Sequence, residues 1–234
     1  MRIGILQADN VQAQFRDEFG DYAGMFRSLL ENSASSEALE FRVYDVLRGD
    51  YPERIGDCDG YVITGSRESV YDDARWIARL ADFVRSLHAR RHKTVGICFG
   101  HQLIAHVLGG KTTAASVGWG VGVHEVRVVD KQPWMDPALP SINLLCSHKD
   151  QVLVLPERAR VIASSEFCPL AGFALGSHFI TFQGHPEFST GYARALMNSR
   201  VELLGDAYEP GIRSLEHDTD ETSVGRWMLN FVAG

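Results

Sequence analysis

Two kinds of segment alternate along the first half of the chain. Segments typical of strands, rich in apolar and β-branched residues, occupy residues 2–7, 39–47, 60–64 and 94–98. Between them, apolar residues recur at steps of three and four over residues 12–32 and 74–90 and again from Leu103 to Leu108, which indicates amphipathic helices. Strands that alternate with such helices predict an α/β fold, with a mostly parallel central sheet and helices on both faces.

The second half of the chain has a different pattern. Short apolar runs separated by turns predict a smaller, partly antiparallel β portion at residues 121–129, 142–146, 152–155, 160–164, 170–175 and 179–182. Closing helices are expected over 194–204 and 225–232, and the polar residues 205–224 between them predict a surface loop. Because we find no repeat, linker or low-complexity stretch, we expect residues 1–234 to form a single domain.

The charge balance excludes several classes of function. The chain has 23 Lys and Arg residues against 30 Asp and Glu residues and a net charge of −7, which argues against binding to nucleic acid. No apolar run reaches the roughly 18 residues that a membrane span needs. The first strand reaches polar residues at Gln7, too early for a signal peptide. We therefore expect a cytoplasmic protein that contacts neither nucleic acid nor membrane.

The four cysteines, Cys58, Cys98, Cys146 and Cys168, lie far apart in the sequence. They form no Cys-x-x-Cys pair and no Cys/His ligand spacing, so we expect no metal site. Their even number would allow two disulfides, but a chain of this length without a signal peptide does not need them. Each cysteine taken alone fits a small buried apolar residue, and the question is whether one of them is a nucleophile.

Cys98 has the context that a nucleophile requires. Residues 96–100 read Gly-Ile-Cys-Phe-Gly between a predicted strand and a predicted helix, which is the nucleophile-elbow pattern with Cys in place of Ser. The glycines are needed because side chains beside so sharp a turn would clash. The positive end of the following helix favours the thiolate, and the backbone N–H of Phe99 becomes available to a developing oxyanion.

Among the nine histidines, His185 is the best candidate for the base. It follows an apolar strand, and Glu187 lies two residues on, close enough to orient the imidazole and stabilise its charged form. His101 and His106 follow Cys98 on the predicted helix, and both are expected on the helix surface. The remaining histidines are expected to be solvated or packed: His88, His92, His124, His178 and His217.

Two motifs together resemble the class I (triad) glutamine amidotransferase family. Residues 96–102 read Gly-Ile-Cys-Phe-Gly-His-Gln, and residues 182–187 read Phe-Gln-Gly-His-Pro-Glu. The resemblance extends from Ile3 to about residue 200 and is closest to stand-alone members similar to the amidotransferase domain of GMP synthase. It implies the flavodoxin-like fold of that family. It also implies a triad in which Cys98 is the nucleophile, His185 the general base and acid, and Glu187 the residue that orients His185.

The resemblance also implies residues that hold the substrate. Gln102 and the segment Ser-His-Lys-Asp-Gln-Val, which contains Ser147, His148 and Asp150, match substrate-binding positions of the family. The loop with Gly65 and Ser66 matches the loop that forms the oxyanion hole together with the N–H of Phe99. Many members have Gly-Gly or Gly-Gly-Pro in this loop, whereas a Gly-Ser form occurs in the GMP-synthase-like stand-alone group and in plant γ-glutamyl peptidases.

The chemistry that the resemblance implies is hydrolysis of glutamine. Cys98 attacks the γ-glutamyl amide to give a thioester and ammonia, and water then releases glutamate, without a metal or an organic cofactor. The chain has neither a Walker A loop nor a Ser-Gly-Gly-x-Asp-Ser loop, so a synthase that used the ammonia would lie on another chain. Two alternatives stay open: a stand-alone γ-glutamyl peptidase that acts on γ-glutamyl peptides or conjugates, and a non-catalytic regulatory subunit.

Overall fold

The structure is a computed structural model and describes residues 1–35 and 38–234. The strands are β1 (Arg2–Gln7), β2 (Glu40–Asp45), β3 (Gly60–Ile63), β4 (Thr94–Ile97), β5 (Lys111–Ala114), β6 (Gly120–Val128), β7 (Ser141–His148), β8 (Asp150–Val154), β9 (Ala159–Ser164), β10 (Gly172–Leu175) and β11 (Phe179–Phe182). The helices are α1 (Ala13–Phe19), α2 (Tyr22–Ser33), α3 (Arg75–Ala89), α4 (Phe99–Val107), α5 (Thr190–Asn198), α6 (Val201–Leu204), α7 (Tyr208–Ser214) and α8 (Glu221–Ala233).

The central sheet of the described chain has nine strands, in the order β2-β1-β3-β4-β11-β10-β9-β6-β7. The neighbours from β2 to β11 are parallel. From β11 through β10, β9 and β6 to β7 the pairing is antiparallel, and β5 and β8 form a separate antiparallel pair. The predicted α/β class, with a parallel central sheet and an antiparallel β portion, is confirmed.

Helices cover both faces of the parallel strands because successive strand residues point to opposite faces. On one face, Ile3 and Ile5 of β1 pack in one buried cluster with Phe26 of α2 and Trp227 of α8. On the other face, Leu6 belongs to a second cluster that includes residues of α3 and α4, among them Leu80, Val84, Leu103 and Ile104. A strand buried on both sides explains why β1 is an almost continuous apolar run.

The helix predicted over residues 12–32 is instead two helices. Gly20 ends α1 with a φ of 74°, a left-handed backbone conformation that glycine adopts without strain. Asp21 then caps α2, because its side chain accepts a 2.6 Å hydrogen bond from the N–H of Gly24. The helix predicted over residues 74–90 is α3, which begins at Arg75 with Ala74 at the cap position and no side-chain cap.

The surface loop predicted over residues 205–224 contains helix α7 and the start of α8. Helix α7 packs closely on β6: a Cβ atom added at Gly211 would lie 2.8 Å from Cγ2 of Val121. The Ser214 hydroxyl also accepts a 2.8 Å hydrogen bond from the N–H of Val123. The prediction failed because a glycine contact and a serine hydrogen bond make part of this attachment, and neither adds to the apolar periodicity of the helix.

No helix within residues 1–35 and 38–234 is both long enough and apolar enough to cross a membrane. In the same two segments, no three His, Cys, Asp or Glu side chains come together as a metal site.

Candidate active site

The carboxyl ends of the parallel strands meet at one edge of the sheet, and the predicted site residues lie in the segments that follow them. β3 leads into Gly65 and Ser66, β4 into Cys98, and β11 into the segment with His185 and Glu187. Open α/β sheets bind their ligands at this edge. Parallel pairing of β3 with β4 and of β4 with β11 therefore gathers side chains that are far apart in the sequence.

Cys98 occupies the sharp turn that the elbow motif predicts. Its backbone has φ 50° and ψ −99°, and α4 begins at the next residue. A Cβ atom at Gly96 would lie 2.7 Å from the carbonyl of Gly100, and one at Gly100 would lie 2.5 Å from the Ile63 carbonyl oxygen, so both glycines are required. A left-handed backbone at a non-glycine residue costs about 1–3 kcal/mol and is concentrated at functional sites.

His185 is held against Cys98 from three sides. Its backbone N–H donates a 2.7 Å hydrogen bond to the Leu145 carbonyl of β7. Its Nδ1 donates to Oε1 of Glu187 at 2.8 Å, and its ring stacks on Phe188 with 3.9 Å between the ring centroids. His185 and Cys98 border the same recess, and Gly65 lies close to both of them. The structure thus brings together the three residues predicted as a triad.

The electrostatics of this group favour a charged imidazole. Burial by itself lowers the pKa of His185, but Glu187 and the Cys98 thiolate reverse the effect, and the net pKa is raised. Glu187 is itself buried, and its Oε2 has no hydrogen-bond partner among the described residues. Because a buried carboxylate needs a compensating charge, Glu187 stabilises His185 in its protonated form. The arrangement therefore suits an imidazolium at His185.

The loop after β3 is fixed by the end of β1. Thr64 Oγ1 accepts a 2.9 Å hydrogen bond from the N–H of Ala8. Arg67 reaches both carboxylate oxygens of Asp9, with its backbone N–H and Nε each 3.0 Å from Oδ2 and Nη2 3.0 Å from Oδ1. Sequence reasoning did not single out Asp9 and Arg67. The available signal was the change from apolar to polar residues where β1 ends at the same edge of the sheet.

Gly65 lies so close to His185 that it has no room for a side chain. A Cβ atom there would be 2.8 Å from Cε1 of His185 and 3.7 Å from Cβ of Cys98. This contact places the Gly65–Ser66 loop beside the nucleophile. Phe99 is buried at the first position of α4, directly after Cys98.

We expect Gly65→Ala to lower kcat/KM by more than about tenfold, because the added methyl group displaces the imidazole from Cys98, and a 1 Å misplacement already costs about 10²-fold. Overpacking of this kind destabilises a protein by about 1–3 kcal/mol. Kinetics and urea unfolding measure the two effects. Gly56→Ala is the matched control, because no atom of the described residues outside its own neighbours lies within 4 Å of the added Cβ atom. Equal activities of the two variants would contradict the placement.

The residues predicted to bind substrate line one groove beside Cys98, but most of their polar groups already have protein partners. The groove has a volume of about 420 Å³ and is lined by Ser66, Cys98, Gln102, Trp119, Ser147, His148, Asp150 and Arg200, among others. Gln102 Nε2 donates to the Asp150 carbonyl at 2.8 Å and to Gln183 Oε1 at 3.1 Å. Gln183 in turn lies 3.5 Å from the Cys98 sulfur.

His148 and Asp150 are likewise engaged within the protein. Burial lowers the pKa of His148 to about 3, so the ring is neutral, and its Nδ1 lies 3.1 Å from the Asp150 carbonyl. The Asp150 carboxylate accepts hydrogen bonds from the hydroxyls of Ser69, at 2.6 Å, and Tyr71, at 3.0 Å. These contacts tie the loop after β3 to the start of β8. Both residues shape the groove, and the Asp150 carboxylate is directed to the loop.

One histidine prediction is wrong. His101 is completely buried instead of lying on the helix surface, and its Nδ1 lies 2.8 Å from the hydroxyl of Thr181 in β11. Burial lowers its pKa to about 3. The first turn of α4 packs directly on the sheet, so a polar residue there faces a strand. The other three cysteines, Cys58, Cys146 and Cys168, are buried free thiols.

The chain is similar in sequence to a protein family and to individual known proteins. The family model "Glutamine amidotransferase class-I" matches residues 21–201. The chain belongs to the class-I glutamine amidotransferase family. Gamma-glutamyl peptidase 3 of Arabidopsis thaliana is 34% identical over 72% of this chain and 70% of its own length. A glutamine-hydrolyzing GMP synthase subunit of Sulfolobus acidocaldarius is 34% identical over 58% of this chain and 70% of its own length.

A solved structure shows the same fold. A glutamine amidotransferase of Thermotoga maritima superimposes with a TM-score of 0.75 at 19% identity, covering 100% of this chain and 96% of that one. The family and the fold that the two motifs imply are thereby confirmed. The relatives include both γ-glutamyl peptidases and a GMP synthase subunit, so the family does not choose between the two enzymatic alternatives.

Proposed function

We propose that the protein hydrolyses γ-glutamyl amide bonds with Cys98 as nucleophile, His185 as general acid and base, and Glu187 as the residue that orients His185. The observation that carries the proposal is the strained backbone of Cys98 beside an imidazole fixed by Glu187 and Phe188. Nucleophile, base and orienting acid in this order are the requirements of covalent acyl transfer. An intact constellation of this kind argues against a purely regulatory subunit.

The proposed reaction has two stages. The Cys98 thiolate attacks the δ-carbonyl carbon of the γ-glutamyl group, and the N–H groups of Phe99 and the Gly65–Ser66 loop receive the oxyanion. Imidazolium His185 gives its proton to the departing amine, the C–N bond breaks, and a γ-glutamyl thioester remains. Neutral His185 then takes a proton from water, whose oxygen attacks the thioester and releases glutamate. Cys98 leaves as thiolate and His185 is again protonated.

We further propose that γ-glutamyl peptides or conjugates are preferred over glutamine. The groove beside Cys98, at about 420 Å³, falls in the range of about 300–1,000 Å³ of small-molecule sites and leaves room beyond a γ-glutamyl unit for a departing peptide. The similarity to a protein named as a γ-glutamyl peptidase supports the same choice. Glutamine is the second candidate, supported by the similarity to a glutamine-hydrolyzing synthase subunit, and ammonia would then pass to a synthase on a separate chain.

Purified protein supplied with glutamine and with a γ-glutamyl dipeptide tests the choice. We expect kcat/KM for the dipeptide to exceed that for glutamine by more than about tenfold, which corresponds to about 1.4 kcal/mol of transition-state binding. Release of glutamate is the readout for both substrates. A reversed ratio would favour a glutaminase that feeds a synthase. If neither substrate reacted, the proposed hydrolysis would be refuted.

A further inference from the structure

Arg200 is the residue of the groove that the catalytic proposal leaves unexplained. It immediately precedes α6, in the connection from α5. It lines the groove beside Cys98, and it also lines a smaller recess with a volume of about 40 Å³ that extends past His185 to Tyr22. Cys98 borders both spaces. The guanidinium is therefore placed where a bound substrate meets the nucleophile.

Arg200 has little compensation for its charge. In the part of the chain that the structure describes, no carboxylate lies within ion-pair distance of it, and its one side-chain hydrogen bond is a 3.4 Å contact from Nη1 to the Ser147 hydroxyl. The side chain is half-buried, and burial lowers its pKa. A guanidinium has five N–H donors, so most of them are free to bind an acceptor.

The nearby acids are not available to Arg200. Asp9 is bound by Arg67, and Asp150 accepts hydrogen bonds from two hydroxyls. Glu68 also lines the groove, but it is exposed and forms no ion pair with Arg200. Because a partly desolvated guanidinium gains free energy from a counter-ion, an anion bound from outside would stabilise Arg200.

We propose that Arg200 binds a carboxylate of the substrate and so selects the γ-glutamyl compounds that carry one. A planar guanidinium matches a carboxylate with two parallel hydrogen bonds, which gives geometric selection as well as binding. The inference rests on the proposed function, because it takes the groove as the site of a γ-glutamyl substrate. Two substrate carboxylates have this chemistry: the α-carboxylate of the γ-glutamyl unit and the C-terminal carboxylate of a departing peptide.

The test compares Arg200→Gln with the unchanged enzyme on a γ-glutamyl dipeptide and on two derivatives of it. One derivative has the α-carboxylate converted to an amide, and the other has the C-terminal carboxylate converted to an amide. We expect Arg200→Gln to lower kcat/KM for the unmodified dipeptide by at least about tenfold, since a hydrogen bond to a charged group contributes about 1.5–3 kcal/mol. The derivative that lacks the recognised carboxylate should react equally with both proteins, and it identifies which carboxylate Arg200 binds.

Two further variants separate recognition from structure. Arg200→Lys keeps the charge and should recover part of the lost activity on the unmodified dipeptide. Arg194→Gln, on the exposed side of α5, is the matched control and should behave as the unchanged enzyme. An equal loss on all three substrates with Arg200→Gln, or no loss on any of them, would overturn the inference.

Binding measured without turnover distinguishes failure of this inference from failure of the proposed hydrolysis. In Cys98→Ala protein, calorimetric titration with the γ-glutamyl dipeptide should show a dissociation constant at least about tenfold lower than in the Cys98→Ala/Arg200→Gln protein. Equal binding by the two proteins would refute carboxylate recognition even if the unchanged enzyme hydrolyses the dipeptide. A difference in binding would support it even if no hydrolysis were found.

Discussion

Cys98→Ala is expected to reduce glutamate release from every γ-glutamyl substrate by at least about 10³-fold, because removal of the nucleophile leaves only binding and oxyanion stabilisation. The fold should be retained, since the turn is set by Gly96 and Gly100 and a single small buried side chain changes little. Steady-state kinetics measure the loss. Mass spectrometry of acid-quenched protein should detect a γ-glutamyl adduct in the unchanged enzyme and none in the variant.

Cys168→Ala is the matched control for this experiment. Cys168 is also a buried free thiol, but it does not line the groove or the recess at Cys98. Its substitution should leave the rate and the adduct unchanged. Activity that survives in Cys98→Ala, or an adduct that depends on Cys168, would contradict the assignment of the nucleophile and with it the proposed mechanism.

His185→Ala is expected to cause a loss of about 10²–10⁴-fold, the usual contribution of a positioned general acid and base. Glu187→Gln should cause a smaller loss, because Glu187 acts on the substrate only through His185. The two variants also differ in their pH dependence. Glu187 raises the pKa of His185, so its neutralisation lowers that pKa and His185 loses its proton at lower pH.

The basic limb of the kcat/KM pH profile should therefore move to lower pH in Glu187→Gln, as measured over a pH series with the γ-glutamyl dipeptide. His185→Ala should show no such limb, because the titrating group is gone. A basic limb that stays in place in Glu187→Gln would mean that Glu187 does not control the protonation of His185. Circular dichroism of both variants checks that the fold is retained.

The locally encoded features were predictable to different degrees. The elbow at Cys98 followed from two glycines, a strand and a helix that are contiguous in the sequence, and the backbone geometry confirms it. The split between α1 and α2 was not predicted, because apolar spacing continues through Gly20 while the backbone changes direction there. Helix α7 was missed because part of its contact with β6 is made by Gly211 and Ser214, which carry no apolar signal.

The sequence by itself determined the α/β class, the family and the candidate triad of Cys98, His185 and Glu187. These features are encoded by short contiguous motifs and by the periodicity of apolar residues. Both reflect the local backbone conformation, so they can be recognised without knowledge of the tertiary structure. The tertiary structure decided which polar groups remain free at the site. In the folded protein Asp150 accepts a hydrogen bond from the loop after β3. Arg200 lies beside Cys98, and among residues 1–35 and 38–234 no carboxylate is within ion-pair distance of it. The physical reason is that hydrogen-bond and charge partners come from strands and loops far apart in the sequence, and only folding establishes which groups are already satisfied.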